Sequence, residues 1–226
     1  MTTASEWDVR NAVVGIYQEL SRLGLNVAAA GNVSARYGPG MLITPTGCVA
    51  ETLKPGDLVA TRLEGTSTGK LKPSSEWAMH AEVYGRVPEA HAIVHAHADH
   101  CVALSCLREP IPAFHYMVHS FGGEDVPCVP YYPFGTRELG AAAGAALEQR
   151  SACLLANHGM LARGATLRAA LDAAILLEAL ARQYVLALSI GKPMLLNSEE
   201  MADVARRFAD YGRQPRPRVK LRWQVP

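Results

Sequence analysis

The first long apolar pattern runs through Val9, Val13, Ile16, Tyr17, Leu20 and Leu23, a spacing of three and four that predicts a helix with one buried face. Ser5 stands where an N-cap belongs, and Gly24 suits the left-handed residue that closes a helix. Between Gly31 and Val59 the pattern shortens to strand-like pieces. Turn segments break it at Gly38-Pro39-Gly40, Thr44-Pro45-Thr46-Gly47 and Lys54-Pro55-Gly56-Asp57, so antiparallel sheet is expected. Pro73-Ser74-Ser75-Glu76 then opens a helix to about Gly85, with a serine cap near its start. Ala92 to Val94 reads as a strand, Ala98 to Leu107 as a helix, Val126 to Tyr131 as extended chain, and Thr136 to Arg150 as an Ala-rich helix. A strand over Ala152 to Asn157 follows, then a long helix from about Thr166 to Ile190 and a last one over Ser198 to Tyr211. Strands alternating with helices through short connections predict a three-layer α/β/α sandwich around a mixed, largely antiparallel central sheet.

Composition narrows the class. The chain has 226 residues, 49% of them apolar, enough for one domain with a sizeable core. We read residues 1–211 as that domain and 212–226 as a basic, proline-rich tail. Twenty-two basic against 21 acidic residues give no global field, so neither nucleic acid nor a membrane surface is expected as a partner. Glu6, Asp8 and Arg10 occupy the place of a signal peptide's apolar core, and no uncharged apolar run approaches the length of a bilayer span. Five cysteines without a Cys-x-x-Cys spacing indicate neither a disulfide framework nor a thiolate metal site, which fits a reducing cytoplasm.

The chemistry concentrates in the histidines. His95 and His97 sit two apart at the end of an apolar strand, on one face and about 6.6 Å apart along the chain. A histidine on such a strand is commonly a packed core residue. A same-face pair with a third, His158, after another apolar strand fits a metal site with an open position as well as it fits packed core. Glu76 follows two serines at a helix start, where its charge serves either the helix dipole or a neighbouring metal. Gly31-Asn32-Val33-Ser34, Thr44-Pro45-Thr46-Gly47 and Pro73-Ser74-Ser75-Glu76 offer amides and hydroxyls that suit either ordinary turns or a phosphate dianion. Gly65-Thr66-Ser67-Thr68-Gly69 is most simply a solvated hairpin loop.

In order and spacing, Gly31-Asn32-Val33-Ser34, Thr44-Pro45-Thr46-Gly47, Pro73-Ser74-Ser75-Glu76-Trp77, Val94-His95-Ala96-His97, His115-Tyr116-Met117 with Gly122-Gly123, Phe134-Gly135-Thr136-Arg137-Glu138-Leu139 and His158-Gly159 resemble the class II aldolase/adducin family. The resemblance covers about residues 5–211 and lies on the side of the fuculose-phosphate aldolases and ribulose-phosphate epimerases. It implies one Zn2+ per subunit, with Mn2+ or Co2+ as alternatives, held by His95, His97 and His158. Glu76 would be a ligand at rest and the acid/base once substrate displaces it. It implies a phosphate pocket of Asn32, Thr46, Gly47, Ser74 and Ser75, and an aldehyde side with Phe134, Phe208 and Tyr211. It also implies a homotetramer with active sites at subunit interfaces, where Tyr116 reaches a neighbour's sugar oxygen; by residue type alone Tyr116 equally fits a buried aromatic with a satisfied hydroxyl.

The reaction implied is aldol cleavage of a ketose 1-phosphate, such as L-fuculose 1-phosphate, D-ribulose 1-phosphate or a 5-deoxy analogue, to dihydroxyacetone phosphate and an aldehyde through an enediolate. The five lysines, Lys54, Lys70, Lys72, Lys192 and Lys220, lie in polar or Gly/Pro-rich surroundings, which disfavours a Schiff-base route. Three rivals stand beside this reading: a methylthioribulose-phosphate dehydratase, a pentulose-phosphate 4-epimerase, and a noncatalytic adducin-like assembly module. The epimerases usually carry aspartate where this chain has Glu76, and the assembly modules lose the ligands. Asn157 departs from the histidine that the fuculose aldolases carry at that place, which leaves the aldehyde side open. His100 is expected to be structural or to support the ligands.

Overall fold

The computed structural model describes residues 5–210. Tyr211 and the tail 212–226 lie outside the described residues. Helix α1 (Glu6–Arg22) starts as expected, with Ser5 and Asp8 bonded reciprocally in a capping box, and Gly24 closes it at φ +70°. The strands are β1 (Asn32–Tyr37), β2 (Gly40–Ile43), β3 (Val59–Arg62), β4 (Ser67–Thr68), β5 (Ala92–Ala96), β6 (Cys128–Val129), β7 (Ala152–Leu155) and β8 (Gly159–Gly164). The remaining helices are α2 (Trp77–Arg86), α3 (Asp99–Ser105), α4 (Arg137–Gln149), α5 (Leu167–Ile190) and α6 (Ser198–Phe208).

The strands form one sheet in the order β4-β3-β2-β1-β5-β8-β7-β6, antiparallel throughout except for β6 with β7. Side-chain alternation splits the core into two layers. Val33, Ala35, Ala92, Val94, Ala96, Leu154, Met160 and Ala162 pack with α1, α3 and α5 on one face. Met41, Ile43, Ile93, Cys153, Leu155 and Leu161 pack with α2 and α4 on the other. The expected α/β/α sandwich is therefore observed.

Two features differ from the sequence reading. β8 appears where no strand is anticipated, because its identity comes from pairing with β5 and β7 rather than from a period of its own. The extended stretch near Val126 shrinks to β6 plus a bridge between Ile111 and Val126, and Tyr116–Phe121 forms a 3-10 helix. Helix α5 is long and apolar enough to cross a membrane by length and composition, although Arg168, Asp172, Glu178 and Arg182 interrupt its apolar run. Its Ala170, Leu171, Ala174, Leu177, Leu180 and Ala181 stripe nevertheless packs on the sheet, as the core helix of a globular fold does. Its inward-turned Glu178 accepts from the His100 and Cys101 amides at 3.1 and 3.0 Å, holding the start of α3.

Because β5 lies between β1 and β8 and runs antiparallel to both, the start of β1, the end of β5 and the start of β8 meet at one edge of the sheet. Asn32 pairs with His95, which pairs with Leu161. The N-terminus of α2 reaches the same edge, so segments far apart in sequence supply one site.

Candidate active site

Each histidine arrives from a different constraint. His95 is fixed by the β5 ladder, His97 lies just past its end, and His158 sits in the connection between β7 and β8. Their ligating nitrogens all lie within 4.8 Å of one another, and the rings stand nearly edge to face with centroids 4.8–4.9 Å apart. Glu76, at the start of α2, completes the group: its Oε2 lies 3.1 Å from His95 Nε2, and its Oε1 lies 3.3 Å from His158 Nε2. His95 donates from Nδ1 to the Met160 carbonyl at 2.8 Å, which leaves Nε2 to face the cluster, 3.0 Å from His97 Nε2. The His97 backbone amide donates to Asn26 Oδ1, which anchors the chain just beyond the strand.

The electrostatics call for a cation. Burial works to raise the Glu76 carboxyl, but His95, His158 and the Asn32 amide outweigh it and hold the group well below the usual carboxylate range. Burial opposes charge on His95 too, yet the Glu76 carboxylate pushes that imidazole up. His97 and His158 are pushed down to about 4, by burial first and then by His95. Glu76 Oε1 is buried and makes no hydrogen bond among the described residues. Three imidazole nitrogens and a carboxylate facing one point, with a carboxylate oxygen to spare, fit a divalent metal of borderline softness.

The adjoining pocket, about 290 Å³, is at the small end of the range for small-molecule sites, ~300–1,000 Å³. Asn32, Thr46, Gly47, Ser74, Ser75, Glu76, His97, His158 and Phe134 all line it, as the sequence reading groups them. Two loops make its polar wall. The Ser74 amide donates to the Thr44 carbonyl and the Thr46 amide to the Lys72 carbonyl, with a bridge between Pro45 and Pro73, so both are pinned side by side. Thr44 is used up internally, its hydroxyl accepting from the Val33 amide, while Thr46 faces out. The expected serine cap does not form: Glu76 itself holds the N-cap position of α2, and Ser74 Oγ instead accepts from the Glu76 amide at 3.2 Å in the turn just before the helix.

Other residues fall elsewhere. Tyr116 is half-exposed, stacks on His115 and approaches Phe208 at 6.4 Å between ring centroids, outside this pocket's lining. Its structural alternative, a buried tyrosine, therefore does not hold within the single chain. Gly65–Gly69 belongs to the β3–β4 hairpin, away from the pocket. His100 binds Glu178 at 2.6 Å and is structural. Sequence reasoning misses Asn26, Tyr131 and Tyr132; Asn26 lies in an aperiodic turn with nothing to mark it. Asn157 lines the pocket in a left-handed conformation, φ 53°, and accepts from Arg108 Nε at 2.8 Å.

The comparisons agree with this geometry. The profile of the class II aldolase and adducin N-terminal domain matches residues 11–185, and the chain belongs to that family. It is 46% identical over 204 residues to a 5-methylthioribulose-1-phosphate/5-deoxyribulose-1-phosphate aldolase of Rhodospirillum rubrum, covering 90% of this chain and 92% of that one. It is 47% identical over 196 residues to the L-fuculose phosphate aldolase of Escherichia coli K12, covering 86% and 91%. A solved L-fuculose 1-phosphate aldolase superposes with a TM-score of 0.85 at 37% identity, over 92% of this chain and 98% of that one. The chain is thus an aldolase, a lyase acting on a small sugar phosphate, with a three-histidine cluster able to hold the metal that class II aldolases need.

Proposed function

We propose that this enzyme is a zinc-dependent aldolase that reversibly cleaves a ketose 1-phosphate to dihydroxyacetone phosphate and an aldehyde. The observation that carries the reading is one pocket in which a hydroxyl- and amide-rich wall faces the histidine cluster and Glu76. His95, His97 and His158 hold the zinc, with Glu76 beside it, and the ion supplies Lewis acidity toward a substrate carbonyl. Asn32, Thr46, Gly47, Ser74 and Ser75 seat the phosphate, with backbone amides and hydroxyls in place of arginines. Glu76 removes the carbon-bound proton next to the ketone, and returns it in the reverse direction. Its carboxylate is ionised and close to the cluster, which suits a base that must act beside a cation.

The aldehyde end faces Tyr131, Tyr132 and Phe134, an aromatic side that suits a 5-deoxy, methyl-ended or otherwise apolar aldehyde as well as the fuculose type. Relatives bearing both substrate names support that range. Retention of Glu76 and all three histidines argues against the noncatalytic assembly reading. Tyr116 acts in this reading on a neighbouring subunit's substrate, with Phe208 beside it, in a homotetramer. Its exposure outside its own pocket and the exposed Leu186, Leu188 and Ile190 on α5 support that arrangement. Five free cysteines suit a cytoplasmic, reducing setting.

The test is release of dihydroxyacetone phosphate by the zinc-loaded protein from L-fuculose 1-phosphate, D-ribulose 1-phosphate and their 5-deoxy analogues. Turnover on at least one is expected, and none on any member of the panel overturns the reading. Glu76→Gln is expected to abolish exchange of the dihydroxyacetone phosphate proton with solvent while phosphate still binds; undiminished exchange removes Glu76 from proton transfer.

A further inference from the structure

Behind Glu76 runs a buried polar seam that the reaction as described does not use. Glu76, His80 and Tyr84 recur every four residues along α2, and they face Asn32 and Ser34, two apart on one face of β1. Tyr84 Oη lies 2.8 Å from Ser34 Oγ, Ser34 Oγ lies 2.7 Å from His80 Nδ1, His80 Nε2 lies 2.5 Å from Asn32 Oδ1, and Asn32 Nδ2 lies 2.9 Å from Glu76 Oε2. Ser34 and His80 are 0% exposed, Tyr84 2%, Asn32 3% and Glu76 6%, so water does not supply alternative partners.

One charge sets the direction of all four bonds. An ionised carboxylate only accepts, so Asn32 presents its amide N–H to Glu76 and its Oδ1 to His80. His80 must then donate from Nε2. Burial, with His95 nearby, pushes the His80 imidazole down to about 3, so the ring is neutral and its Nδ1 is bare. Ser34 donates to that nitrogen and is left to accept from the Tyr84 hydroxyl, which burial keeps protonated. Reversing any one bond strands a buried donor against a donor or an acceptor against an acceptor. Ser34, which the sequence places in a candidate phosphate segment, belongs to this seam instead.

We propose that His80 is a positioning residue that fixes the orientation of the Asn32 side-chain amide, and through it the Glu76 carboxylate, with Ser34 and Tyr84 locking the imidazole as its Nε2–H tautomer. Without the Nε2 donor the Asn32 amide is free to turn over and set its oxygen against Glu76. The functional part rests on Glu76 as the proton-transfer group; the tautomer does not.

Two measurements on the zinc-loaded full chain test it. Nitrogen-15 NMR of the histidine rings at neutral pH should show His80 neutral and protonated at Nε2; a proton on Nδ1, or a cationic ring, overturns the lock. Proton exchange between dihydroxyacetone phosphate and solvent should fall roughly 10–100-fold in His80→Leu, the range seen when a supporting partner behind a metal site is lost. Zinc content should change by less than about threefold, well under that range. His80→Gln, with one amide donor and one acceptor, should recover most of the exchange rate. Equal rates in the Leu and Gln variants overturn the positioning role. Should His80→Leu fail to fold, Ser34→Ala must show a smaller loss of the same kind with a mixed His80 tautomer, and an unchanged tautomer overturns the lock. Absence of exchange in the wild type instead counts against the proposed reaction, and the NMR result still decides the tautomer.

Discussion

Gly31→Ala should damage the metal site without touching a ligand. Gly31 has φ +71°, and a Cβ there would meet the His95 carbonyl oxygen at 2.6 Å and overlap the Asn26 side chain. Those neighbours are the two anchors of the His95-Ala96-His97 pair: the first is ligand backbone, and the second accepts from the His97 amide. The left-handed backbone costs about 1–2 kcal/mol for alanine, and relieving the overlap costs about 1–3 kcal/mol more. The expected loss is therefore about 2–5 kcal/mol, or roughly 4–20 °C in Tm for a chain of this size. Gly24→Ala is the control, because Gly24 shares the conformation at φ +70° with nothing within 4 Å. Urea unfolding of metal-free wild type and both variants separates the backbone term from the steric one, and competition with a chelator reads zinc affinity. Gly31→Ala should be the less stable variant and bind zinc at least about tenfold more weakly, as when a ligand's support is disturbed. Equal stability of the two variants together with wild-type zinc affinity in Gly31→Ala would refute the reasoning.

Three further outcomes follow from the same geometry. His80 is held at about 3, so below its unfolded pKa of 6.5 the unfolded chain binds the extra proton; its stabilising effect is complete above that pH and is lost as the pH falls toward 3. His95 works in the opposite sense, so the measurable quantity is a difference. Between pH 7 and pH 5, metal-free wild type should lose about 2 kcal/mol more in urea unfolding than His80→Gln, and identical pH slopes would exclude a buried neutral His80. Glu178→Gln weakens the hold on the start of α3 and should cost about 1–2 kcal/mol in thermal unfolding, whereas an unchanged Tm would show the contact to be idle. His158→Ala should lower zinc affinity by more than the roughly 10–100-fold that loss of a supporting contact brings, with the fold retained by circular dichroism; retained affinity would remove His158 from the ligand set.

Much of this was legible from local pattern. The stripe from Val9 to Leu23 and the caps at Ser5 and Gly24 reappear in α1, since helix periodicity and capping depend on neighbours within one turn. The Pro73-Ser74-Ser75-Glu76 opening reappears as the approach to α2 with Ser74 bonded to the Glu76 amide. β8 was not legible because Gly159–Gly164 has no alternation of its own and is buried on partners that include β5, far away in sequence. Nor did residue type distinguish Thr44, bonded inside, from Thr46, facing the pocket.

By itself the sequence determined which side chains could ligate a metal, which segments were helices, and which hydroxyl-rich turns were available for a phosphate, because these depend on residue chemistry and short-range spacing. Only the tertiary structure decided that the start of β1, the end of β5, the β7–β8 turn and the start of α2 share one edge of the sheet. The same packing turned Asn32 toward Glu76 across 44 residues and His95 toward the Met160 carbonyl across 65. Hydrogen-bond direction and burial belong to contacts rather than to residues, so the sequence carries the groups while the packed sheet assigns each its partner.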